Sequence, residues 1–115
     1  MTIQQLQYFL ELAETLNFSK VAASMHVSQP NLSHSISALE QELGVRLFLR
    51  QKGKKAELTA DGKAFYPYVK NALNVLDEGI ASVKATEVMR RSQLRVAYSH
   101  VYGLVISPYV GSNLR

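Results

Sequence analysis

The run from Ser28 to Gly44 constrains this chain more than any other. Ser28 has the side chain of a helix N-cap, and Pro30 follows in the first turn, where a missing N–H costs nothing. Leu32, Ile36, Leu39 and Leu43 then recur at intervals of four, three and four, laying an apolar stripe along a helix from about Gln29 to Leu43. Gly44 stops it as a residue free to take positive φ. The opposite face carries Gln29, Asn31, Ser33, His34, Ser35 and Ser37, and stays almost uncharged until Glu40. A face that only meets water normally carries more Lys and Glu.

Two helices precede this one. Thr2 and Gln5 have the spacing of a capping box, and Ile3, Leu6, Phe9, Leu10, Ala13 and Leu16 follow along one face. Asn17, Phe18 and Ser19 interrupt that helix. Ser19 is the expected cap of a short second helix ending at Met25, with Val21, Ala22 and Met25 as its buried face. The order is a short helix, a tight turn at Val27, and a longer helix whose outer face is small and polar.

After Gly44 come two short strand-like pieces, Leu47 to Arg50 and Ala56 to Leu58, joined by Gln51-Lys52-Gly53-Lys54-Lys55. Thr59 is placed to cap a long helix reaching about Met89, with Phe65, Val69, Ala72, Leu76, Ile80 and Val83 along one side. About thirty residues make a rod of ~45 Å, longer than so small a domain covers, so that side calls for a partner helix. Pro67 and Gly79 are expected to kink or weaken it locally. Beyond the polar stretch Lys84 to Gln93, the alternation Leu94, Val96, Tyr98 suggests one strand, which cannot form a sheet alone. The tail to Arg115 therefore reads as the opening of a further domain.

Charge is unevenly spread. Residues 1–45 carry a net −3, residues 46–70 a net +5 and the remainder +2. The basic segment coincides with the hairpin, where Arg50, Lys52, Lys54 and Lys55 cluster. Taken alone, such a cluster is as often a solvated loop as a nucleic-acid contact.

A helix presenting short polar side chains, set behind a tight turn and beside a basic hairpin, has the geometry that enters a major groove. The groove is about 12 Å wide and admits one helix. Gln29 can pair with adenine through two hydrogen bonds, Ser28 and Ser33 can serve phosphate or base, and Pro30 offers apolar contact to a thymine methyl. Asn31, His34 and Ser37 complete that face, and His34 reaches toward a purine acceptor or a phosphate. Lys52, Lys54 and Lys55 can lie along phosphates or enter a minor groove, with Arg50 on backbone oxygens.

Four blocks in order carry a specific resemblance: Phe18-Ser19-Lys20-Val21-Ala22-Ala23; Val27-Ser28-Gln29-Pro30-Asn31-Leu32-Ser33; Leu39-Glu40-Gln41-Glu42-Leu43-Gly44-Val45-Arg46-Leu47-Phe48-Leu49-Arg50; and Leu58-Thr59-Ala60-Asp61-Gly62. They resemble the N-terminal signature of LysR-type transcriptional regulators. The resemblance implies a mainly α fold: a winged helix-turn-helix of three helices and a two-stranded wing over residues 1–59, a dimerisation linker helix over 60–89, and at 90–115 a hinge and the start of an effector-binding domain. It implies a homodimer on an interrupted inverted repeat of double-stranded DNA, with tetramers in full-length members. Leu94 to His100 is similar to the first strand of the effector domain, and Ser99 and His100 would sit where many members contact a small-molecule effector.

Other classes are weaker. Without cysteine there are no disulfides, thiolate metal sites or cysteine nucleophiles. His26, His34 and His100 lack metal-ligand spacing, and Ser28 with His34 has no nucleophile–base arrangement, so no metal, cofactor or catalytic residue is expected. Thr2 to Glu14 is too polar for a signal peptide, and no apolar run approaches the ~20 residues of a membrane span; a cytoplasmic protein is expected. Two readings compete with sequence-specific binding: a helical interaction module whose hairpin meets an acidic partner, and an architectural protein indifferent to DNA sequence. The charge of the hairpin argues against the first and the polar helix face against the second.

Overall fold

The computed structural model describes residues 1–50 and 55–96. Along the chain it places α1 (Ile3–Thr15), α2 (Phe18–Ser24), α3 (Gln29–Leu43), β1 (Phe48–Leu49), β2 (Glu57–Leu58) and α4 (Ala60–Val96). The two strands pair antiparallel, Phe48 opposite Leu58 and Leu49 opposite Glu57, so the expected hairpin is present with shorter strands. Together the elements make a winged helix-turn-helix followed by a long helix.

Local chemistry sets each boundary. The Thr2 hydroxyl accepts the Gln5 N–H at 3.1 Å while the Gln5 side chain accepts the Thr2 N–H at 2.9 Å, a complete capping box. Leu16 ends α1 at a φ of 58°. The cap of α2 is Asn17, not Ser19: its side-chain oxygen accepts the Lys20 N–H at 3.0 Å, and Phe18 becomes the first helical residue. An Asn side chain is at least as good a cap as Ser, and the earlier start lets the Phe18 ring enter the core.

The turn between α2 and α3 is a Schellman motif. His26 takes a φ of 58° while its N–H reaches the Ala23 carbonyl and the Val27 N–H reaches the Ala22 carbonyl at 3.0 Å. That closure reverses the chain within a few residues and delivers Ser28 to cap α3, its hydroxyl accepting the Asn31 N–H at 3.2 Å.

Met1–Asn74 and Val75–Arg115 form two compact units. The core of the first joins Phe9 and Leu12 of α1, Val21 of α2, and Leu32, Ile36 and Leu39 of α3 to Leu47 and Phe48 at the base of the wing. Phe9 lies 5.6 Å from Phe48 and 5.2 Å from Phe65, and Phe18 meets Phe48 edge-on at 6.2 Å. The expected apolar face of α1 packs on the core through Leu6, Phe9, Leu10, Ala13 and Leu16, and is broader than expected at one side and absent at the first turn. Tyr8 and Leu12 are buried, whereas Ile3, in the first turn, is 48% exposed.

Two expectations for the long helix are corrected. Helix α4 continues past Met89 to Val96, so no strand begins at Leu94; Tyr98 lies outside the described residues. No Gly or Pro interrupts 80–96, and Glu87 pairs with Arg90 at 2.8 Å and Arg91 at 3.2 Å, the i,i+3 and i,i+4 arrangement that supports a helix. Second, Val69 is buried in the first unit's own core, and Phe65 packs against the same core. Val69 is therefore spent within this unit and does not face outward with Ala72, Leu76, Ile80 and Val83, whereas Phe65 is only half-buried. Among the described residues, no helix is long and apolar enough to cross a membrane.

Candidate nucleic-acid interface

Pro30, Asn31, His34 and Ser37 stand on the outer face of α3, with Ser28 at its cap and Gln29 and Ser33 held by neighbouring side chains. The Ser19 hydroxyl donates to Gln29 Oε1 at 3.1 Å, and Arg50 Nη1 donates to Ser33 Oγ at 2.7 Å. The guanidinium also lies 3.7 Å from the centre of the Phe18 ring, a cation–π contact with a ring that is 7% exposed.

Gln29, Arg50 and Lys55 share one cleft, whose walls include Asn17, Phe18 and Ser19 from the start of α2. Two cations and several neutral hydrogen-bonding side chains converge there. Lys55 is exposed just before β2; Lys52 and Lys54 lie outside the described residues, as do Ser99 and His100.

The wing is fixed to α3 by a residue the sequence disguises. Glu40 closes the polar face and reads as a solvent charge, yet it is 8% exposed. Its Oε2 accepts the N–H groups of Leu47 at 2.6 Å and Phe48 at 3.1 Å, and Arg46 stands 3.5 Å from Oε1. A carboxylate can be buried here because its lone pairs are used and a cation adjoins it. Thr59 secures the other side: its hydroxyl donates to the Arg46 carbonyl at 2.6 Å and accepts the Gly62 N–H at 3.0 Å, capping α4 as expected. Sequence reasoning does not single out Phe18, Ser19, Glu40 or Arg46 as site residues. The position of Glu40, one residue after the core Leu39, is the available signal for its burial. Among the described residues, no three His, Asp or Glu side chains come together in a way that could hold a metal.

Residues 3–63 match the model of the bacterial regulatory helix-turn-helix proteins of the lysR family. The chain belongs to the LysR family. AlsR of Bacillus subtilis, an HTH-type transcriptional regulator, is 38% identical over 112 residues, covering 97% of this chain and 33% of AlsR. The DNA-binding domain of CbnR in complex with DNA is similar with a TM-score of 0.69 at 36% identity, over 74% of this chain and 97% of that one. The BenM DNA-binding domain with catB site 1 DNA gives 0.70 at 33% identity, over 74% of this chain and 94% of that one. The chain spans about a third of the length of the curated relatives it matches. Its fold is that of a LysR-family DNA-binding domain, and these relatives are transcriptional regulators, not enzymes.

Proposed function

We propose that this LysR-family chain binds double-stranded DNA as a homodimer and regulates transcription in the cytoplasm by reading an interrupted inverted repeat. The observation that carries the reading is the juxtaposition on α3 of Pro30, Asn31, His34 and Ser37 with Gln29 and Ser33, beside Arg50 and Lys55. Short polar side chains there meet base edges in the major groove, while the wing cations Arg50, Lys52, Lys54 and Lys55 hold backbone phosphates. The DNA complexes of the BenM and CbnR domains, similar in fold, support this reading.

Two copies associate through the outward side of α4, where Leu76 is 41%, Ile80 45% and Val83 66% exposed, with Ala72 one turn earlier. Aliphatic side chains at that spacing are stable in water when a second helix covers them. In a longer protein carrying the effector domain, Ser99 and His100 contact a small-molecule effector and tetramers form.

The test is selection from a random duplex pool, with binding followed at ~50 and ~200 mM salt. An enriched inverted repeat with a spacer is expected. Gln29→Ala should lose ~1 to 3 kcal/mol of discrimination at one base position per half-site, whereas Lys54→Ala should weaken all sequences alike and flatten the salt slope. Salt-sensitive binding without enrichment would favour an architectural protein, and no binding at low salt would sink the reading.

A further inference from the structure

Arg50 and Ser33 fix each other's chemistry. A guanidinium offers N–H donors and no acceptor, so in their 2.7 Å contact the serine oxygen accepts. The hydroxyl proton must then go elsewhere. Within a helix its ordinary destination is the carbonyl four residues back, as for Thr86, which donates to the Ser82 carbonyl at 2.9 Å. Among the described residues, none takes the Ser33 proton in this way.

The arrangement is held by the core before any ligand arrives. Phe18, wedged against Phe48, presents its ring face to Arg50, and that guanidinium keeps its remaining N–H groups for other partners. A hydroxyl accepting from a cation is polarised, which strengthens its own donation.

We propose that Ser33 is a fixed hydrogen-bond donor, oriented by Arg50 on the Phe18 ring, and that the DNA group it meets is an acceptor. The inference rests on the DNA-binding reading above and specifies the chemistry of one contact within it. The acceptor is a phosphate oxygen, or a base atom such as purine N7, guanine O6 or thymine O4. Exocyclic amino groups, which present only hydrogens, can meet just the second lone pair of the Ser33 oxygen and leave its proton without an acceptor, so they are disfavoured. Arg50 is thus a positioning residue for Ser33 in addition to any contact of its own.

The experiment uses the duplex selected by the wild-type protein. Ser33→Ala is expected to weaken binding about 3- to 10-fold, the effect of one hydrogen bond. The loss should fall below about twofold in an Arg50→Ala background, where the hydroxyl is no longer held as a donor. Single substitutions then locate the acceptor: 7-deazapurine removes purine N7, 2-aminopurine in place of guanine removes O6, 5-methyl-2-pyrimidinone in place of thymine removes O4, and methylphosphonate removes a phosphate oxygen. One of them should weaken the wild type by the same factor and leave Ser33→Ala unchanged. A response to one of the base analogues assigns that base atom, a methylphosphonate response a phosphate. Equal Ser33→Ala losses in both backgrounds, unimpaired binding by Ser33→Ala, or no DNA substitution that pairs with Ser33 would overturn the proposal. Failure of the wild type to bind any duplex would overturn the DNA-binding reading, and this inference with it.

Discussion

Glu40 Oε2 stands 2.6 Å from the backbone nitrogen of Leu47, so a side chain of the third helix holds the chain entering the first strand of the wing. The helix and the hairpin are thereby one mechanical piece, so the base and phosphate contacts proposed for them would share a register. Replacing Glu40 with Ala leaves the N–H groups of Leu47 and Phe48 buried without an acceptor, at a cost of about 2–4 kcal/mol. Gln retains one acceptor and should cost about half as much. Urea unfolding of the two variants checks this; equal losses would mean that the charge, through Arg46, matters more than the acceptor.

Gly62 is required by its neighbours. A Cβ there would run into the Leu47 carbonyl oxygen and the Leu58 side chain, whereas one at Gly79 meets nothing within 4 Å. Gly62→Ala should destabilise by about 1–3 kcal/mol although alanine is the better helix former. Gly79→Ala should raise helix stability by about 0.5–1 kcal/mol. Thermal unfolding of both variants decides; a stabilised Gly62→Ala would show that the wing base yields easily.

The Tyr66 hydroxyl donates to Glu14 Oε2 at 2.6 Å, and this bond holds the phenol above its ordinary range; desolvation and the Glu14 charge act in the same direction, against Lys70. A pKa raised in the folded state adds stability that is fully present below the unfolded value of 10.0 and lost as pH rises through the folded one. Tyr66→Phe should therefore be less stable than wild type at neutral pH and converge with it in alkali. A constant gap between the two urea midpoints from about pH 8 to 11 would contradict the linkage.

Val69 and Ile80 lie on the same helix, but the first is 2% exposed and the second 45%. Ile80→Asp should leave the far-ultraviolet spectrum intact and shift sedimentation from dimer to monomer. Val69→Asp should lower the melting temperature sharply, since it places a charge in the core. An Ile80→Asp protein that still sediments as a dimer would remove α4 from the interface.

The caps Thr2, Ser28 and Thr59, the stop at Gly44 and the stripe Leu32, Ile36, Leu39 are legible in the sequence because each is a local pattern, complete within a few residues. What escapes such reading depends on distant partners. Glu40 is buried only because Leu47 and Phe48 return to it, and Phe18 is a platform only because Arg50, 32 residues on, lies over it. By periodicity, the side of α4 that begins with Phe65 and Val69 is one surface. Near its start the helix leans on Phe9 and the rest of the core, so the same pattern serves two purposes along its length.

Ser19 belongs to the short scaffold helix, yet its hydroxyl occupies one lone pair of the Gln29 amide oxygen. A lineage that exchanges Ser19 for alanine frees that lone pair without altering a single residue of α3. Under the base-reading role proposed for Gln29, base preference can then drift through the scaffold, and two regulators with identical readout helices need not recognise the same promoter.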